Sequence, residues 1–459
     1  MIIFLYLLAC VNMIYLVHLG LFTIGANGYD ILRFKKERDE RRQQSTAIKK
    51  TVSKLKLVSV VIPAHNEGSA IKRTLDSVLA NSYSNLEIIV VDDGSVDNTA
   101  KIVNDYFKKV SETKKLSVRT YFDKQGFFGS TKHRYLKVQR QQTKLKLITQ
   151  TNQGKASAMN HAIKDYVSGE YVMCLDADSI LHPKAIERAV NYLKNKQIIG
   201  VAANVRIIGG KSLLGKLQRF EHMVGYRSKK FYSLANCEFI IGGVGSTYRR
   251  SILRKVKFYD NDTMTEDIGL SLKIVATSGN KTQRVYYAAD VVAFTEGVQN
   301  FKDLLRQRYR WKMGSLQNLF KYRSLIGEYQ PTFYSRALTL YRLPMAILSE
   351  VLLMLEPLIL GYIIYLSIAF HTLGIIFGAY LTITLYIMMV LWSDEHLPTK
   401  DKLKMSVSAL WIYALFYIMD VVQTAAMIKS LRLYKKIIHR GSDLSTWVSP
   451  KRAKQIQAI

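Results

Sequence analysis

VSVVIPAHNEGSAIKRTLDSVLANSYSNLEIIVVDDGS, residues 58–95, decides how this chain folds. The run LVSVVIP (57–63) is apolar and β-branched and is closed by proline. That is the pattern of a strand buried on both faces. Residues 67–81 predict a helix with Ile71, Leu75, Val78 and Leu79 on one side. LEIIVVDDGS (86–95) is a second buried strand that ends in two carboxylates and a turn. VDNTAKIVNDYF (96–107) predicts the next helix. Strand, helix, strand, helix in this order argues for a parallel sheet covered by helices. The pattern resumes with LKLITQ (145–150), a helix near 154–167 and the strand EYVMCLDAD (170–178). Two strands therefore deliver Asp92/Asp93 and Asp176/Asp178 to one sheet edge, where open α/β sheets bind ligands. Between them, residues 110–144 are basic, glutamine-rich and weakly periodic, which predicts a surface excursion.

Outside this α/β segment the composition changes. Residues 1–26 carry no Asp, Glu, Lys or Arg, and a run of that length spans a bilayer core of about 30 Å. It lacks the basic start and cleavage site of a signal peptide, so a retained span is expected. Three more apolar stretches lie near 343–370, 372–393 and 406–428. The formal net charge is +31. The densest basic block, RFKKERDERRQQ (33–44), follows the first apolar stretch directly. That placement fits a cytoplasmic flank on anionic lipid, and no nucleic-acid recognition motif accompanies the charge. Cys10, Cys174 and Cys237 form no spaced pairs, which argues against a disulfide framework or a zinc site. Four spans would leave the basic stretch KSLRLYKKIIHR (429–440) outside, against the charge rule. Either 335–393 is miscounted, one stretch is interfacial, or the tail is an exception to the rule.

Three strings carry chemistry. Asp176-Ala177-Asp178 at a strand end places two carboxylates where they can grip a divalent ion that also holds a diphosphate. In Thr265-Glu266-Asp267, opening a helix at 266–278, the acids supply a general base. The plainer alternative is a Thr265 N-cap with acids in the first turn. In Gln307-Arg308-Tyr309-Arg310-Trp311, residues Gln307, Arg310 and Trp311 share one helix side at i, i+3, i+4 spacing. Arginine clamps diphosphates, and tryptophan stacks on sugar rings. Residues 211–234 and 299–328 alternate apolar and basic residues at helical spacing, as interfacial or ordinary amphipathic helices do.

With IPAHNE (62–67), VDDGS (91–95) and NQGKASAMN (152–160), these strings stand in an order that resembles the processive inverting glycosyltransferases of family 2. The family contains cellulose, chitin, hyaluronan and poly-N-acetylglucosamine synthases, and the NQGKA and MTED contexts look most like the last. The resemblance runs from about Val58 to Trp311. It implies a GT-A nucleotide-sugar-binding domain over 58–298, a mostly parallel sheet with helices on both faces. Interfacial helices over 299–335 would carry the QxxRW motif. A transmembrane helix over 1–27, a basic linker over 28–57, about three spans over 336–430 and a basic tail over 431–459 would complete the chain.

The resemblance also implies roles. Pro63, Ala64, Glu67 and Asp93 would line a uridine pocket, with Lys155 and Asp176 at the diphosphate and ribose. Asp178 would hold Mg2+ or Mn2+. Asp267, with Glu266 beside it, would be the catalytic base. Gln307, Arg308, Arg310, Trp311, Gly242 and Gly243 would hold the diphosphate and the acceptor sugar. The partners implied are a UDP-sugar donor, a growing polysaccharide, anionic lipids of the plasma membrane and a small accessory membrane subunit. Glu350, Glu356 and Asp420 in the apolar stretches are costly at membrane depth unless they line a polar channel; for Glu350 and Glu356 an interfacial position is the alternative. A non-processive transferase acting on a lipid, or an inactive binding protein of the same fold, would share the acidic strings.

Overall fold

A computed structural model describes residues 2–46, 55–112, 143–208 and 212–439. The chain opens with helix α1 (Ile2–Thr46) and then builds β1 (Val58–Ala64), α2 (Ile71–Leu79), β2 (Leu86–Asp93) and α3 (Thr99–Glu112). There follow β3 (Lys144–Gln150), α4 (Lys155–His161), β4 (Tyr171–Cys174), β5 (Ile180–Leu181), α5 (Ala185–Leu193) and β6 (Ile198–Ile208). The domain closes with α6 (Leu213–Leu234), β7 (Ser246–Arg249), α7 (Arg250–Lys255), α8 (Glu266–Ser278), β8 (Arg284–Glu296) and α9 (Phe301–Lys321). Four helices end the described chain: α10 (Leu343–Ala369), α11 (Leu373–Trp392), α12 (Thr399–Arg432) and α13 (Tyr434–Ile438).

The eight strands form one sheet in the order β3-β2-β1-β4-β7-β6-β8-β5. Successive side chains on a strand point to opposite faces. Val58, Val60, Ile62 and Ala64 therefore pack with α2, α3 and α5, while Val61 packs with α4, α7 and α8. Both faces are covered, and the continuous apolar run of β1 reflects that. β1 pairs in parallel with β2 and β4, β2 with β3, and β6 with β8. β7 runs antiparallel between β4 and β6, and β5 antiparallel to β8, so the sheet is mixed. Four-residue β7 and two-residue β5 are too short to leave a period in the sequence.

The expected strand 170–178 stops at Cys174. Leu175 still donates to Val61 O (3.0 Å), and Ser179 N then closes a turn on Asp176 O (3.0 Å). The acids thus sit beyond the strand, on a turn at the sheet edge. The expected excursion falls almost wholly on 113–142, outside the described residues.

The expected linker over 28–57 is helical as far as Thr46, because α1 does not leave the domain. Gly25 lies under the Phe231 ring, where an added Cβ would come 2.6 Å from its Cδ2. Tyr29 is buried and its hydroxyl donates to Tyr287 O (3.0 Å). Lys230 pairs with Asp30 at 2.7 Å, and Arg33 pairs with Glu395. These contacts fasten α1 along α6.

Among the described residues, two helices are long and apolar enough to cross a bilayer, Ala337–Ala369 and Thr399–Arg432, and Ile376–Trp392 is a shorter apolar helix. Helices α10 and α11 leave the α/β domain and return to it. Lys312 on α9 pairs with Glu350 on α10 (2.7 Å), and beyond α11 Asp394 pairs with Arg206 on β6 (2.8 Å). Helix α12 starts beside that returned loop, where Trp392 Nε1 donates to Ser406 Oγ (3.1 Å). It ends at the same domain: Lys429 Nζ lies 4.6 Å from the Tyr309 ring, and Gln317 donates to Lys436 O (2.9 Å). Both ends of α12 therefore lie near the α/β domain. The basic residues after it lie beside α9, where Gln317 meets Lys436.

Candidate active site

Lys155 is the centre of the site. It opens α4 directly after Gly154, whose φ of 88° favours glycine. Its Nζ lies 2.7 Å from Asp176 Oδ1 and 3.1 Å from Glu266 Oε1. Three stretches that are remote in sequence thus meet at one ammonium. Burial opposes its charge, but Asp176, Glu266 and Asp267 outweigh burial and hold the Lys155 ammonium well above its usual range. Gly243 forms the floor, where an added Cβ would sit 2.9 Å from Lys155 Nζ and 3.7 Å from Asp267 Oδ2.

Asp267 lies in the first turn of α8, and its Oδ1 accepts from Ile268 N (2.8 Å). Burial and the neighbouring Glu266 push its carboxyl up to about 6. A carboxyl poised in that range suits proton abstraction near neutral pH. Thr265 does not cap the helix with its hydroxyl. That group instead accepts from Asn318 Nδ2 (3.1 Å).

A cavity of about 440 Å³ joins these acids to α9. Lys155, Asp176, Asp178, Gly242, Gly243, Glu266 and Asp267 line one side; Gln307, Arg308, Arg310 and Trp311 line the other. The two arginines differ. Arg308 Nη2 pairs with Glu221 on α6 (2.6 Å), and its guanidinium stacks 4.4 Å from the Trp311 ring. Among the described residues no carboxylate pairs with Arg310, which leaves its guanidinium for an anionic ligand. Gln307 Oε1 is buried without a hydrogen-bond partner. Toward α10 and α12 the wall continues through Lys312, Glu350 and Gln423.

The expected donor residues separate into two groups. Pro63 borders a small recess that it shares with Lys155, Asp176 and Asp267. Ala64, Glu67 and Asp93 line neither space. Asp93 is occupied: it accepts from Gln150 Nε2 (2.8 Å), Gln153 N (2.9 Å) and Gly154 N (2.8 Å). Its carboxylate shapes the turn that launches Lys155. Glu67 is buried beside Thr99, to whose Oγ1 its amide donates (2.8 Å).

Other wall residues were not expected. Glu296 closes β8 on the cavity and pairs with Arg73 on α2 (2.5 Å). His222 and Tyr226 of α6 complete the wall, and burial together with Arg308 lowers the His222 imidazole to about 4, so it is neutral. A helix-spaced histidine in an amphipathic stretch gives no signal of its own. Among the described residues, no three His, Cys, Asp or Glu side chains converge to hold an ion by themselves. Hard oxygens from Asp176 and Asp178 on an open cavity wall nevertheless fit a cation that also takes diphosphate oxygens.

Comparison with known proteins agrees with this architecture. An enzyme of Staphylococcus epidermidis named poly-beta-1,6-N-acetyl-D-glucosamine synthase is 27% identical over 435 residues, 91% of this chain and 92% of its own length. Its namesake from Staphylococcus aureus is 29% identical over 273 residues, 59% of this chain and 57% of that one. In fold, the chain resembles a mannosyltransferase of Pyrobaculum calidifontis solved with GDP-Man and Mn2+. The match covers 90% of this chain and 98% of that one, with a TM-score of 0.50 and 18% identity. The sheet and its helices are thus a GT-A fold. The model described as Glycosyl transferase family 2 matches residues 59–132, and that described as Glycosyl transferase family group 2 matches residues 171–419, more than half of the chain. The chain belongs to the family 2 glycosyltransferases.

Proposed function

We propose that this glycosyltransferase polymerises a uridine diphosphate sugar, N-acetylglucosamine in particular, into a β-linked chain at the membrane surface. The observation that carries this reading is the single cavity in which Lys155, Asp176 and Asp267 face Arg310 and Trp311. The donor diphosphate lies between Lys155 and Arg310. The acceptor sugar stacks on Trp311. Its hydroxyl attacks the anomeric carbon, the bond from that carbon to the diphosphate oxygen breaks, and the hydroxyl proton passes to Asp267. Attack from the opposite face inverts the centre, and no covalent enzyme intermediate forms. The cations stabilise charge that builds on the leaving diphosphate, where preorganised groups act most strongly. Asp178, with Asp176, would hold Mg2+ or Mn2+, which when bound supplies Lewis-acid neutralisation of that diphosphate.

The named relatives that span most of the chain support the sugar and the linkage class. The position of the cavity supports a polymer. Its lining includes Lys312, Glu350 and Gln423, which offer a growing chain polar groups beside α10 and α12. Glu356 and Asp420 lie further along those helices. The polybasic end of α1 and the flank of α12 support a catalytic domain on the cytoplasmic, anionic face.

The test is product length. Purified protein in anionic-lipid vesicles receives labelled UDP-N-acetylglucosamine and Mg2+. The expected product is a ladder extending to high mass that a β-1,6-specific hexosaminidase digests. A single sugar on lipid, or product from a different donor only, would overturn the reading.

A further inference from the structure

Helix α9 presents two successive faces with the same spacing. Gln307, Arg310 and Trp311 line the cavity. One turn later Gly314, Gln317, Asn318 and Lys321 recur at i, i+3, i+4 and i+7, and all four meet the loop that carries Thr265-Glu266-Asp267. Asn318 is fully buried, and its Nδ2 lies within donor distance of Thr263 Oγ1 (3.2 Å), Thr265 O (3.0 Å) and Thr265 Oγ1 (3.1 Å). Gln317, equally buried, accepts from Met264 N (2.9 Å) and donates to Lys436 O on α13 (2.9 Å). Lys321 pairs with Asp260 and Asp262, both at 2.8 Å. The contact is close enough to need glycine: a Cβ on Gly314 would come 2.4 Å from Thr265 Oγ1. Gly269, in the next turn of α8, leaves room for Asn318 Oδ1, which would lie 2.9 Å from an added Cβ.

From this geometry we infer that Asn318, with Gln317 and Lys321, is a positioning residue for the base. One rigid helix then sets both the residues that grip diphosphate and acceptor and the loop that holds Asp267. None of the three reaches the reacting atoms; they act through residues 260–265. Through Gln317, the segment after α12 shares in the brace. The inference rests on Asp267 as base. Effective catalysis requires reacting groups held within a fraction of an ångström, so a loosened loop costs turnover more than binding.

The experiment measures kcat, donor KM and UDP affinity for full-length Asn318→Ala, Lys321→Met and Lys321→Arg in lipid vesicles. The brace predicts that Asn318→Ala lowers kcat about 30-fold or more while donor KM and UDP affinity stay within about threefold. It also predicts that Lys321→Met lowers kcat about fivefold or more and that Lys321→Arg, which keeps the charge, recovers most of it. If Asn318→Ala does not fold, the Lys321 pair at the edge of the brace decides. The inference is overturned if kcat stays within threefold of wild type, or if kcat and UDP affinity fall together, as in general damage. Asp267→Asn, measured in parallel, separates the two readings. An active Asp267→Asn removes the base assignment itself, whereas an inactive one beside a fully active Asn318→Ala removes only the brace.

Discussion

Asp267→Asn is expected to lower kcat about a thousandfold, the middle of the range for a lost general base, and to raise the melting temperature by a few degrees at pH 7. The two effects have one cause. Burial and Glu266 push the Asp267 carboxyl up to about 6, above its ordinary 3.8. The folded state therefore binds this proton more tightly than the unfolded chain does. Ionising Asp267 costs stability as pH rises from about 4 through about 6, and the cost persists above that range. A neutral amide of the same shape escapes it. Stability held back at a catalytic group is a common trade. The wild-type profile of kcat/KM against pH should show an acid limb near 6, because below it the base is protonated. Thermal unfolding and a pH–rate profile check both halves. Unchanged stability together with retained activity would remove Asp267 from the mechanism.

Lys155→Met should produce a loss of similar size by a different route. The ammonium holds Asp176 at 2.7 Å and Glu266 at 3.1 Å, and it opposes the upward shift of Asp267. Without it, three neighbouring carboxylates lose their shared counter-charge. Breaking a buried charge pair from one side costs about 3–5 kcal/mol in typical proteins. The acid limb moves to higher pH, UDP affinity falls, and the melting temperature falls instead of rising. Opposite shifts in stability for Asp267→Asn and Lys155→Met, with both nearly inactive, are the signature of this cluster. Differential scanning fluorimetry on the two proteins reads it directly.

Much of this was legible in the sequence because it is local. The apolar run of β1 is buried on both faces, as its lack of alternation requires. The helix expected over 266–278 forms over the same residues. The fixed order of acidic strings announced the family, and the cavity does gather Lys155, Asp176, Asp178, Asp267, Arg310 and Trp311. What the sequence concealed depends on distant partners. Asp93 ends β2 as expected, but nothing local tells that three donors from residues 150–154 meet its carboxylate. Arg308 and Arg310 look equivalent in QRYRW, yet Glu221, 87 positions away, engages only the first. Helix α12 passes every length and apolarity criterion for a span, yet Ser406 near its start is hydrogen-bonded to Trp392 and Lys429 near its end lies on the Tyr309 ring of α9. The brace on Gly314, Gln317, Asn318 and Lys321 reads in sequence as an ordinary helix end.

The central claim is that the sheet-edge acids and the far face of α9 hold the same diphosphate. UDP affinity of Arg310→Ala and Asp178→Asn, singly and together, with Mg2+ present, tests it most directly by calorimetry. Each change should weaken UDP about tenfold, near 1.4 kcal/mol, and the double variant should lose less than the sum because both groups serve one ligand. An affinity within twofold of wild type for Arg310→Ala, with Asp178→Asn impaired, would place α9 outside the donor site and contradict the account.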